Sequence, residues 1–96
     1  MNIYELINNK RAEILDIASK HGAYNIRIFG SVSRGEASET SDIDLLVDYG
    51  DNISPWFPGG LIKDLEELLG LTVDVATING LKERIRNRVI NESIPL

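Results

Sequence analysis

Apolar residues recur along this chain in short stretches whose spacing alternates between helical and strand-like. Ile3, Leu6, Ile7, Ile14, Ile17 and Ala18 share one helical face, which predicts a helix over residues 3–20 stopped by His21-Gly22. Ile26, Ile28 and Phe29 read as a short strand that ends at Gly30. Residues 31–41 are small and polar, too poor in apolar side chains to be core, and form either a short helix or a loop. Residues 43–47 (Ile-Asp-Leu-Leu-Val) read as a second, mostly buried strand. Pro55, Pro58, Gly59 and Gly60 make residues 51–60 a loop. Leu61, Ile62, Leu65, Leu68 and Leu69 then form a helical stripe with Gly70 as its C-cap. Residues 71–76 are rich in β-branched side chains and predict a third strand. Leu81, Ile85 and Val89 mark the seam of a last helix running to about residue 92. The order is α-β-α-β-α-β-α, an α/β or α+β architecture with a small mixed sheet flanked by helices.

Ninety-six residues with 43% apolar content suit one domain, residues 1–96, on a single core. An enzyme this small has no second domain to close over a substrate, so either a partner protein supplies the missing wall or the chain works as an oligomer. The formal charge of −5 argues against long nucleic acid as the main ligand, because phosphate-backbone binders carry a basic surplus. A nucleotide is not excluded, since bound metal can meet its charge. No cysteine is present, which removes disulfides and thiolate metal sites and fits a cytoplasmic protein. The first residues lack a basic region followed by an apolar run, so no signal peptide is expected. No apolar stretch approaches the roughly 20 residues of a membrane span.

The acidic residues change the picture more. Asp42 and Asp44 are two apart at the mouth of the second strand, so both project from one face. Like charges that close repel unless a cation lies between them. Magnesium takes oxygen ligands and commonly binds a couple of carboxylates plus substrate phosphates. Asp74 lies mid-way along the third strand and joins the pair if the two strands are neighbours. Such a trio suits two-metal phosphoryl chemistry, with Asp74 as a metal ligand and general base toward an attacking hydroxyl. An isolated Asp-x-Asp carries little weight alone, and Asp48 and Asp51 read as ordinary turn or surface acids.

Gly30-Ser31 follows directly on the first strand, with Ser33, Arg34 and Gly35 behind it. Glycine admits a phosphate close to the backbone, and the serine hydroxyl with the N–H groups of a following turn makes an anion cradle. Arg34 either reaches a phosphate or pairs with an acid such as Glu36. Gly-Ser, a ten-residue spacer and Asp-x-Asp together resemble the signature of the polymerase-beta-like nucleotidyltransferases. Val73-Asp74-Val75 looks like that superfamily's third-carboxylate strand. The stretch from Gly30 to Gly35 and the ending Ile90-Asn91-Glu92-Ser93-Ile94-Pro95-Leu96 are similar to its minimal nucleotidyltransferases, and the resemblance covers essentially the whole chain.

The resemblance implies the polymerase-beta-like fold, with Gly30 and Ser31 on the β- and γ-phosphates of ATP. It also implies magnesium, two ions, on Asp42 and Asp44, with Asp74 completing the site. Minimal members are often antitoxins paired with a HEPN-domain ribonuclease toxin, and some silence it by moving AMP from ATP to a tyrosine. The implied partners are therefore ATP and such a toxin, with a joint oligomer as one arrangement. The alternative is a non-catalytic antitoxin that neutralises by stoichiometric binding. Transfer to a small molecule ranks behind both, because related antibiotic-modifying enzymes carry an extra helical domain.

Other features leave alternatives open. Lys82 and Arg86 flank the last helical seam on one side, Arg84 and Arg88 on the other; a solvated face is favoured over a phosphate or partner contact. Trp56-Phe57 either folds inward over the core or offers a partner-binding or base-stacking surface. His21 is expected to face the helix dipole rather than a ligand.

Overall fold

A computed structural model describes residues 2–38 and 41–96. The elements are α1 (Ile3–Asn9), α2 (Arg11–Lys20), β1 (Ala23–Phe29), β2 (Ile43–Tyr49), α3 (Gly59–Leu69), β3 (Val73–Ala76), α4 (Glu83–Glu92) and β4 (Ile94–Pro95). The four strands form one mixed sheet in the order β3-β2-β1-β4. β1 runs antiparallel to β2 and β4, whereas β2 and β3 are parallel and joined through α3. The expected fold class, a small mixed sheet flanked by helices, is what forms.

Strand alternation sorts the sheet's faces. Ile43, Leu45 and Val47 of β2 join Ile26 and Ile28 of β1 and Val73 of β3 in the main core. Ile7, Ile14 and Ala18 of α1 and α2, and Leu61, Leu65 and Leu69 of α3, complete it. With a period of two, Asp44 and Leu46 must then point the other way, toward the face that holds the carboxylates. Leu46 and Val89 are as well buried as the core but lie outside its main cluster. Gly70 closes α3 in the left-handed conformation at φ 68°, with its N–H bonded to Glu66 O, as its sequence position predicts.

Several local expectations differ from the structure. The helix expected over residues 3–20 breaks at Lys10, which caps α1 and opens α2. No strongly apolar side chain lies between Ile7 and Ile14, so no packing opposes a break after Asn8 and Asn9, whose helix propensity is low. Between β1 and β2 the loop alternative holds: Arg34 N donates to Gly30 O at 3.2 Å, a single turn that does not propagate. β4 has no sequence signal, since a two-residue strand carries no periodicity. It exists because it pairs with Arg27 and Ile28 of β1, and its proline is tolerated on an edge.

His21 caps α2, and its ring also ties the following loop down: Nδ1 is 2.6 Å from Ser54 Oγ and Nε2 is 2.7 Å from Asp64 Oδ2. Asp48 holds the irregular part of β1, accepting from Asn25 at 2.9 Å and Arg27 at 2.8 Å. Asp48 is therefore a partly buried, paired residue within β2 rather than the turn or surface acid expected from the sequence. Among the described residues no helix is long and apolar enough to cross a membrane.

Candidate nucleotide and metal site

Gly30 ends β1 with φ 74°, a left-handed conformation that turns the chain sharply away from the sheet. Ser33 Oγ donates to Gly30 O at 2.8 Å, and Glu36 N donates to Ser31 O at 2.9 Å, so the turn is closed from within. Val32, 5% exposed, anchors it in the core. The N–H groups of Ser31, Val32 and Ser33 find no backbone acceptor among the described residues and stay free to donate. Free amides at the start of a turn attract anionic oxygen.

The carboxylates meet this turn through strand register. Phe29 lies opposite Asp44, and Asp44 opposite Asp74, in one row across β1, β2 and β3. Asp42 precedes β2 and is exposed, Asp44 is half-buried, and Asp74 is exposed on β3. A Cβ placed on Gly30 would collide with the Asp44 carboxylate. Gly30 is thus required by its backbone angle and by the acid packed against it. Partial burial raises the Asp44 pKa, and the charges of Asp74 and Asp42 push it the same way, against a smaller opposing effect of Arg34. The acids therefore sense one another across the strands, a like-charge repulsion that a bound cation would relieve.

Glu39 and Thr40 lie outside the described residues. Among the described residues, no three acidic or histidine side chains converge into a ready-made metal cage. Magnesium does not need one, because one or two carboxylates suffice when waters and phosphate oxygens fill the remaining positions. The all-oxygen donor set and the mutual repulsion at Asp44 fit that ion.

A cleft of about 370 Å³ opens over the site. It is lined by Gly30, Ser31 and Arg34, by Asp42 and Asp44, and by Ile85, Arg88, Val89 and Glu92 of α4. The structure thus gathers Gly30, Ser31, Arg34, Asp42 and Asp44 in one cleft. It sets Asp74 beside them through its register with Asp44. Arg34 is not free: Nε is 3.0 Å from Glu36 and Nη1 is 3.1 Å from Glu92. The Glu36 hydrogen bond, with the charges of both acids, raises its pKa.

The basic residues at α4 separate in role. Arg86 donates to Ile78 O and Leu81 O, each at 3.0 Å, and holds the preceding turn. Arg88 lines the cleft instead, while Lys82 and Arg84 are exposed, as a solvated face expects. Glu92 was not singled out in the sequence. Its signal was an acid one step beyond Ile85 and Val89, where the apolar seam requires an inward position.

Trp56 and Phe57 also divide the alternatives. Phe57 packs against Tyr49 with ring centroids 5.5 Å apart, while Trp56 is 88% exposed. Phe57, Tyr49, Ile53 and Val75 line a second cleft of about 420 Å³, toward the far ends of β2 and β3.

Comparison with known proteins agrees with this geometry. Residues 11–96 match the family described as Nucleotidyltransferase domain. A candidate protein adenylyltransferase of Methanocaldococcus jannaschii is 42% identical over 88 residues, covering 92% of this chain and 95% of its own. Protein adenylyltransferase MntA of Thermococcus cleftensis is 39% identical over 79 residues, covering 82% of this chain and 80% of its own. The solved structure of a candidate minimal nucleotidyltransferase superposes with TM-score 0.84 at 42% identity, covering 96% of this chain and 94% of the other. A toxin–antitoxin complex crystallised with AMP-PNP contains a chain of the same fold, with TM-score 0.73 at 22% identity, covering 88% and 69%.

Proposed function

Since the chain belongs to the nucleotidyltransferase-domain family, in its minimal branch, we propose that it moves AMP from ATP to a tyrosine hydroxyl of a HEPN ribonuclease toxin and so acts as that toxin's antitoxin. The observation that carries this reading is the row of Asp44 and Asp74 with the Asp44 carboxylate packed against Gly30. Support for a protein acceptor comes from the relatives named as protein adenylyltransferases, and for a toxin from the toxin–antitoxin complex of the same fold.

In this reading Gly30, Ser31 and the following amides bind the β- and γ-phosphates. Asp42 and Asp44 would hold magnesium, with Asp74 beside them. Bound magnesium supplies charge neutralisation on the triphosphate and a Lewis acid at the reacting phosphoryl group. The tyrosine oxygen bonds to the α-phosphorus, the bond to the pyrophosphate oxygen breaks, and the phenolic proton passes to Asp74. A reaction that consumes ATP and acts on an intracellular ribonuclease places the protein in the cytoplasm. The test is incubation with α-labelled ATP, magnesium and the cognate toxin. Label on the toxin with the native chain, and none with Asp44→Ala, is expected; no label from either would sink the reading.

A second reading, neutralisation by binding alone, is favoured by Trp56, which stands 88% exposed near the apolar cleft. It expects full protection from the toxin by an Asp42→Ala/Asp44→Ala double variant. Catalytic neutralisation expects none.

A further inference from the structure

The phosphate cradle already holds an anion, and the anion is part of the chain. Gly30 N donates to Glu92 Oε2 at 2.7 Å. The same carboxylate accepts from Arg34 Nη1 at 3.1 and 3.2 Å. Of the groups facing the cleft, Gly30 N–H and the Arg34 guanidinium are two that a triphosphate would use, and one side chain engages both. Glu92 lines the cleft and is only 17% exposed, so this is a placed contact rather than a surface encounter.

Its position is otherwise unfavourable. Glu92 is the last residue of α4, where the helix dipole presents partial negative charge and disfavours an acid. Asp42 and Asp44 line the same cleft and add like charge. Among the described residues, Gly30 N–H and Arg34 hold the carboxylate there against these repulsions. Arg88, four residues earlier on α4, lines the cleft and forms no ion pair among the described residues. A cation therefore remains to meet the phosphates when Glu92 withdraws.

We propose that Glu92 occupies the phosphate cradle as an internal competitor, so that a nucleoside triphosphate binds by displacing its carboxylate from Gly30 N–H and Arg34. Glu92 then sets the affinity for the nucleotide without touching the reacting atoms. The inference rests on the nucleotide reading of the site and extends it to a residue that controls entry.

Calorimetric titration of the full chain with ATP and magnesium tests it, comparing native protein with Glu92→Gln and Glu92→Asp. Gln removes the charge, and Asp keeps it but is one methylene too short to reach Gly30. Removing a unit charge beside the phosphates is expected to tighten binding about five- to tenfold for Gln, with a smaller gain for Asp. Binding by both variants that is equal to or weaker than native, with thermal midpoints unchanged, overturns the proposal and makes Glu92 a structural tie. In the native protein the Gly30 amide NMR resonance should move on saturation with magnesium-ATP. A resonance that stays in place overturns the proposal without any variant. If no form binds ATP, the nucleotide reading itself falls, an outcome distinct from unchanged affinity.

Discussion

Replacing Gly30 by alanine tests the geometry that joins the turn to the carboxylates. Two costs are expected, and they can be separated. The first belongs to the backbone: at φ 74° an L-residue sits in the left-handed region, at about 1–2 kcal/mol. The second belongs to Asp44, whose carboxylate a Cβ would strike. That half-buried side chain must swing its carboxylate off its present rotamer, which costs about 1 kcal/mol. The sum is about 2–3 kcal/mol, a large share of the roughly 5–15 kcal/mol that stabilises a domain of this size. At roughly 4–8 °C per kcal/mol, the thermal midpoint should fall by roughly 10–20 °C.

A double-mutant cycle with Asp44→Ala isolates the second cost, because the alanine background has no carboxylate to strike. Thermal and urea unfolding followed by circular dichroism would measure all four proteins without metal. Gly30→Ala should cost about 1 kcal/mol less in the Asp44→Ala background than in the native one, within the range seen for touching residues. Equal costs in both backgrounds would refute the close approach. A midpoint drop below about 3 °C in the native background would refute the strained turn as well.

The remaining predictions are simpler. Asp44 has a raised pKa in the folded state, so the native protein holds that proton more tightly than the unfolded chain does. Metal-free stability should therefore fall as pH rises from the ordinary aspartate range through the raised value. Asp44→Asn should flatten that dependence and raise the midpoint at neutral pH, as differential scanning calorimetry would read. Magnesium should raise the midpoint of the native chain but not of Asp42→Ala/Asp44→Ala; an equal rise in both would remove the metal from these acids. Leu65→Ala, at a fully buried position of α3, should cost about 2–5 kcal/mol by opening a cavity. Trp56→Ala should leave stability within about 0.5 kcal/mol of native, since the ring is 88% exposed, and any loss it causes should appear in capture of the partner.

Glu92 and β4 mark the limit of what could be read along the chain. Local spacing identified β2, β3, α3 and the end of β1, whose start at Ala23 it missed, because each carries its own signal: the apolar run in residues 43–47, the β-branched run before Ala76, the leucine stripe of α3, the glycine at 70. Gly30-Ser31 and Asp42/Asp44 were legible because a turn and a strand start impose fixed spacings. By contrast, Lys10 breaks the first helix through the absence of packing, and β4 is created by pairing with Ile28 from across the sheet. Neither leaves a local pattern.

By itself, then, the sequence brought forward Gly30, Ser31, Asp42 and Asp44 as candidates for a phosphate and a metal, because the combined spacing of the two motifs resembles a known signature. Only the tertiary structure decided that Asp74 stands in register with Asp44 and that Arg88 rather than Arg86 faces the cleft. It also decided that a glutamate 62 residues away lies on the Gly30 amide. The physical reason is the same in each case. Strand register and helix docking are set by burial of Leu45, Val73, Val89 and their neighbours, and the polar groups are carried to their partners by that packing.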